Sequence, residues 1–231
     1  IINPPIEDIV LNSCIGIDLE TTSLYPWIGK IDLITILSSD SVYCLEYDKY
    51  KKYEIIQLFK RVAGVMAVGH NIKFDASFIY YHTGVLLTNV HDTYVTDQII
   101  ENGRQSTLRF DLASVLHRRL NIDHTFKENK KELQLSFAND TVRNSIHLLP
   151  GLRKMQIQYA IEDVLHIIRL KNEQDSLIKE SDLGKIYHLE HKLLPILVKM
   201  ECIGIKIDKE RWKYYIDNEW IPLSKKLENT L

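Results

Sequence analysis

An α/β domain on a mixed sheet is what the sequence predicts, and three observations predict it. Three apolar, β-branched runs open the chain, at residues 14–20, 31–37 and 42–45. Short apolar runs then alternate with segments of helical spacing, the arrangement that builds helices onto a largely parallel sheet. Two carboxylates, Asp18 and Glu20, stand at the end of the first run, where open α/β sheets place their active residues.

The elements follow in order. Residues 14–20 read as a strand whose apolar residues lead up to the two acids. Residues 31–37 and 42–45 are joined by Ser38-Ser39-Asp40-Ser41, a run suited to a hairpin turn. Residues 53–62 carry Ile55, Ile56, Leu58, Phe59 and Val62 on one helical face. A short buried strand at 65–69 precedes a helix starting near Asn71, a natural N-cap. Another strand around 86–90 leads into a helix from Thr93, and 108–120 is helical. Residues 121–150 are polar and irregular by pattern, and 156–178 form one long amphipathic helix.

With 231 residues the chain can bury one sizeable core and a short appendage. No run of 18 apolar residues exists, so no membrane partner or span is expected, and the N-terminus lacks a signal-peptide pattern. A soluble, intracellular protein follows, in cytoplasm or nucleoid, with viral or organellar origin left open. The missing initiator Met suggests a processed chain or a piece of a longer one. Cys14, Cys44 and Cys202 are widely spaced and odd in number, which argues for free thiols. A net charge of -2 neither favours nor excludes nucleic-acid binding, because metals bound at an acidic site invert the local field.

The chemistry concentrates in three segments. In a strand, positions i and i+2 share a face, so Asp18 and Glu20 project together. Their repulsion needs an offset, and a hard divalent cation supplies one through carboxylate oxygens. The bland alternative is a solvated strand end. In Gly69-His70-Asn71-Ile72-Lys73-Phe74-Asp75, Asp75 falls in the first helical turn, where capping and the helix dipole alone would favour an acid. In Tyr159-Ala160-Ile161-Glu162-Asp163, Tyr159 and Asp163 share one helix face beside the apolar stripe. A carboxylate half-buried there calls for a base or a metal.

Taken in order, Asp-x-Glu on a strand, Asn-x-x-x-Asp opening a helix and Tyr-x-x-x-Asp on a late helix resemble the DEDD exonuclease superfamily. The tyrosine variant is similar to the proofreading domains of family A DNA polymerases of the bacterial DNA polymerase I type. Gly16-Ile17-Asp18-Leu19-Glu20-Thr21-Thr22-Ser23-Leu24 carries the fullest match. The likeness covers most of residues 10–180, with Asp92-Thr93 among the connecting elements. Residues 189–208 resemble the helix that joins exonuclease to polymerase in those enzymes, with Gly204 as its stop.

The resemblance implies an RNase H-like (DnaQ-like exonuclease) fold over residues 1–183 and a C-terminal helical extension over 184–231, the truncated start of a polymerase domain. It implies a metal-dependent 3′–5′ exonuclease acting on a single-stranded or frayed DNA 3′ end, with a polymerase domain as partner in cis. Two divalent ions, Mg²⁺ or Mn²⁺, would be held by Asp18, Glu20, Asp75 and Asp163, with Asp18 bridging. Tyr159, helped by Glu20, would orient the attacking water. Thr21, Leu24 and Asn71 would touch the terminal nucleotide. Phe137 would either stack on a base or anchor its loop in the core. Lys73, Arg104, Arg118, Arg119, Lys130 and Lys131 stand as phosphate contacts or plain solvated charges. Rival readings are a ribonuclease D-like exoribonuclease, a non-catalytic RNase H-like binding module, and a structural metal-binding domain.

Overall fold

The computed structural model describes residues 1–102, 107–123 and 130–228. Five strands form one mixed sheet: β1 (Cys14–Thr21), β2 (Ile31–Ser38), β3 (Ser41–Glu46), β4 (Met66–Gly69) and β5 (Val90–Asp92), in the order β3-β2-β1-β4-β5. The three N-terminal strands pair antiparallel through the expected hairpin, and β4 and β5 add in parallel. β1, with the two acids at its end, is therefore the central strand.

Side-chain alternation along β1 sorts the two faces. Ile15, Ile17 and Leu19 point into the principal core with α1 (Lys52–Val62) and α2 (Lys73–Thr83). The same core takes Leu194 and Val198 of α9 (Gly184–Ile203), which packs along α2. On the opposite face, Leu33 and Cys44 meet α5 (Lys130–Ala138) and α7 (Pro150–Leu165). Val68 there meets α4 (Leu112–Leu120) and α8 (Ile167–Glu180). Asp18 and Glu20 share this second face with Leu33, because Glu20 lies opposite Leu33 in the β1–β2 register.

The structure corrects five sequence expectations, the first being that 108–120 is all helix: α4 begins at Leu112, capped by Asp111. Residues 121–150 contain helices: α5 is followed by α6 (Asp140–Asn144), with a 3₁₀ turn at Ile146–Leu148. The long helix expected at 156–178 is two helices, broken at His166 (φ −109°, ψ 1°). β5 begins at Val90 rather than near residue 86, because Val90 is where pairing with Ala67 of β4 starts. Asn71 is not a cap: it takes φ +60°, and α2 begins after Ile72. The Asn71 N–H is held instead by Asp92, whose carboxylate also caps α3 (Thr93–Glu101).

Gly204 ends α9 at φ +68°, a backbone region that favours glycine. Beyond it α10 (Lys209–Tyr215), a π-turn at Ile216–Trp220 and α11 (Ile221–Glu228) bury no side chain. The three cysteines are free, and burial pushes each thiol up, Cys44 to about 11. No helix among the described residues is long and apolar enough to cross a membrane.

Candidate active site

Three segments remote in sequence meet at the end of β1. Asp18, Glu20 and Asp163 each offer one carboxylate oxygen, and these oxygens lie within 4.8 Å of one another. Strand alternation aims Asp18 and Glu20 at the α7 side of the sheet, and the last turns of α7 bring Asp163 onto them. Asp163 is buried.

Asp75 arrives from α2. Its Oδ1 accepts the Leu19 backbone N–H at 2.9 Å, which fastens the first turn of α2 to the strand between the two acids. The residue is 3% exposed. Burial first, and then the neighbouring charge of Asp18, holds its carboxyl well above the usual carboxylate range. A cation at the site would reverse that balance by favouring the charged form.

Tyr159 lies one turn before Asp163 and is 1% exposed. Burial, followed by the charges of Asp163, Glu20 and Asp18, raises its phenol far above ordinary tyrosine. The hydroxyl therefore keeps its proton and remains a donor toward the acids. Gln134 Nε2 donates to the same oxygen at 3.1 Å. Gln134 sits on α5, within the segment whose pattern showed no helix, so no sequence signal pointed to it.

Asp92, singled out by the sequence only as part of a connecting element, is an N-cap, as an acid between a strand and a helix often is. Its Oδ1 accepts from the N–H groups of Asn71 and Tyr94, both at 2.9 Å, and thus ties the starts of α2 and α3 together. Burial pushes it up to about 6 despite these donors. Behind it, His191 of α9 accepts the Asp92 N–H at 3.0 Å. The helix downstream of the site is thereby bonded to the scaffold that aims Asp75.

The expected nucleotide-contacting residues divide. Leu24 (77% exposed) and Asn71 line one cavity of about 470 Å³. Thr21 sits at the strand end, its hydroxyl donating to the Ser23 carbonyl at 2.8 Å. Phe137 is 2% exposed and packs with Leu33, Cys44, Leu133 and Ile157. Of the two roles left open for it, this burial favours the core anchor over a base-stacking platform. Among the charges weighed as phosphate contacts, Arg118 and Arg119 bind Asp97 and Glu101, and Lys73 binds Glu201 at 2.5 Å. Lys131 is exposed; Arg104 and the Lys130 side chain lie outside what the structure describes. A larger cleft, of about 780 Å³, contains none of the four acids.

The family profile described as 3′-5′ exonuclease matches residues 6–178, three quarters of the chain and all three motif segments. The chain belongs to the 3′-5′ exonuclease family. Within this exonuclease family its curated relatives include "DNA polymerase DpoZ" of Acinetobacter phage SH-Ab 15497, 30% identical over 157 residues, covering 61% of this chain and 22% of that protein. The chain spans less than a third of the length of the curated relatives it matches. Among solved structures, Brucella melitensis NrnC with bound Mg²⁺ is similar with a TM-score of 0.68 at 18% identity, covering 88% of this chain and 91% of that one. Escherichia coli RNase D is similar with a TM-score of 0.61 at 14% identity, over 81% and 45%. These likenesses establish the RNase H-like exonuclease fold.

Proposed function

We propose that this exonuclease domain hydrolyses the 3′-terminal phosphodiester of single-stranded or frayed DNA, releases nucleoside 5′-monophosphates, and proofreads for a polymerase domain in the same polypeptide. The observation that carries the reading is the convergence of Asp18, Glu20 and Asp163 oxygens within 4.8 Å, with Asp75 bonded to the strand between the first two.

This donor set fits hard divalent cations. It is all carboxylate oxygen, the chemistry that Mg²⁺ and Mn²⁺ select. Asp18, Glu20, Asp75 and Asp163 would hold two such ions, which supply, when bound, a low-pKa water and charge stabilisation at the leaving oxygen. The chain's own residues do the rest. Tyr159 stays protonated and hydrogen-bonds the attacking water, with Glu20 beside it. Gln134 fixes the phenol in that orientation. Asn71, Thr21 and Leu24 receive the terminal nucleotide. A mismatched end frays more readily than a paired one, so a site that accepts only single strands selects errors.

DNA is favoured over RNA as substrate because the curated relatives are DNA polymerases. A ribonuclease D-like activity is the second reading, and matched oligonucleotides separate the two. A 5′-labelled DNA strand incubated with Mg²⁺ should shorten stepwise from its 3′ end with monophosphate release, and chelation by EDTA should stop it. Shortening of RNA alone, or degradation that persists in EDTA, would overturn the reading.

A further inference from the structure

The loop after β1 exposes apolar side chains at the edge of the site. Leu24, Tyr25, Trp27 and Ile28 are 77%, 51%, 53% and 70% exposed. A contiguous exposed apolar patch is uncommon on a soluble domain and marks a contact surface. The loop holds it out rigidly. Its neck is closed by Thr22 N–H to Lys30 O and Lys30 N–H to Thr22 Oγ1, both at 2.9 Å. Within it, the Ile28 and Gly29 N–H groups donate to the Tyr25 carbonyl at 3.1 and 2.8 Å. Gly29 comes so near Ser23 that an added Cβ would lie 2.7 Å from the Ser23 Cβ, so the closed loop tolerates no larger residue there.

Tyr25 and Trp27 are stacked, with ring centroids 5.2 Å apart and planes 30° apart. They wall the 470 Å³ cavity together with Phe74 and Phe78, and that cavity also contains Leu24, Asn71 and Lys73. The aromatic wall is thus continuous with residues assigned above to the terminal nucleotide. Exposed stacked rings, with a cavity between them and aromatic neighbours, suit an unpaired nucleobase on a single strand, while the lysine in the lining is paired with Glu201. Every base has a π-face, and stacking on it requires no sequence preference.

We propose that the Tyr25–Trp27 pair is a base-stacking shelf for single-stranded DNA, holding one unpaired base near the 3′ end while the carboxylates act on the terminal phosphodiester. The shelf rests on the nuclease reading above. It sets affinity for the strand and leaves the chemistry of the bond to Asp18 and its partners.

The test compares the wild-type chain with Tyr25→Ser/Trp27→Ser on single-stranded DNA in Mg²⁺. The same strand is also prepared with one abasic nucleotide at each of its 3′-proximal positions in turn. The variant should raise KM roughly five- to a hundredfold, the range for loss of one stacked base, with kcat retained. The difference between wild type and variant should close when the abasic position is the one that sits on the shelf. Tyr25→Phe/Trp27→Phe, which keeps both rings, should restore KM to within about twofold of wild type, and circular dichroism checks that all three chains are folded. An unchanged KM in the serine variant, with DNA still degraded, would overturn the shelf and leave the nuclease standing. A KM difference that stays the same at every abasic position would overturn base stacking in favour of a contact with phosphate or another protein. Absence of degradation by the wild-type chain would bring down the nuclease reading, and the shelf with it.

Discussion

Two clusters of acids in this domain show what burial of charge does and does not signify. In one, Asp97 is fully buried and Glu101 half-buried, and Arg118 and Arg119 bind both of them. In the other, Asp18, Glu20 and Asp163 turn their oxygens toward each other, with Asp75 behind them. The first is a fastening between α3 and α4, in which each negative charge faces a guanidinium. The second concentrates negative charge on itself, which adds to burial in raising the Asp75 carboxyl and the Tyr159 phenol. A buried acid alone is therefore no sign of a site; acids that converge on one another are.

The contrast breaks if the two clusters respond alike to mutation. Asp18→Ala should lower metal-dependent degradation by at least about a thousandfold, since several kcal/mol of charge stabilisation pass through that ligand. Its thermal unfolding should stay close to wild type, because removing one of several like charges relieves repulsion. Asp97→Ala should do the reverse. It leaves two arginines facing a buried gap and should cost about 3–5 kcal/mol of stability, while the folded fraction keeps its kcat. An Asp97 variant that is stable but inactive would dissolve the distinction.

Tyr159→Phe sharpens the picture on the site's side. It keeps the ring in the core and removes the donor to the attacking water, so kcat should fall about ten- to a hundredfold with metal affinity little changed. The same kcat in both proteins would remove the water-orienting role.

The smallest effect concerns a third buried set, the histidines under α9. His91 is fully buried and its pKa is lowered to about 3, by burial first and then by His191. Its folded pKa lies below the unfolded value near 6.5, so the unfolded chain binds the extra proton. The stability His91 contributes is present above that value and is lost as pH falls from about 6.5 toward 3. Buried Asp92, raised to about 6, works in the opposite sense over part of that range, so the informative quantity is a difference between proteins. Between pH 7 and 5, His91→Gln should lose about 1–2 kcal/mol less stability than wild type in denaturant titrations. Equal losses would mean that His91 does not titrate as its burial implies.

How much of this was legible in the sequence differs by element. The three N-terminal strands and α1 could be read because their apolar periods are unbroken. The four acids and Tyr159 were singled out by the resemblance of three ordered motifs to a known family, since each segment alone also reads as a solvated or capping acid. Helix α5 could not: among its described side chains Leu133 and Phe137 are the buried apolar ones, too few for an amphipathic stripe. With α5 went Gln134, and the burial of Phe137 could not be known until its helix was seen. The break at His166 was invisible because the apolar pattern runs through it. Asn71 looked like a cap because of its residue type. Only the fold reveals that Asp92, twenty-one residues on, takes its N–H.

Divalent-cation binding by the converging acids is tested most directly by Mn²⁺ titration followed by electron paramagnetic resonance. Wild type and Asp97→Asn should bind Mn²⁺ saturably with equal affinity, and Asp163→Asn should bind it at least about tenfold more weakly. Equal binding by wild type and Asp163→Asn, or weakening by Asp97→Asn of the same size, would contradict it.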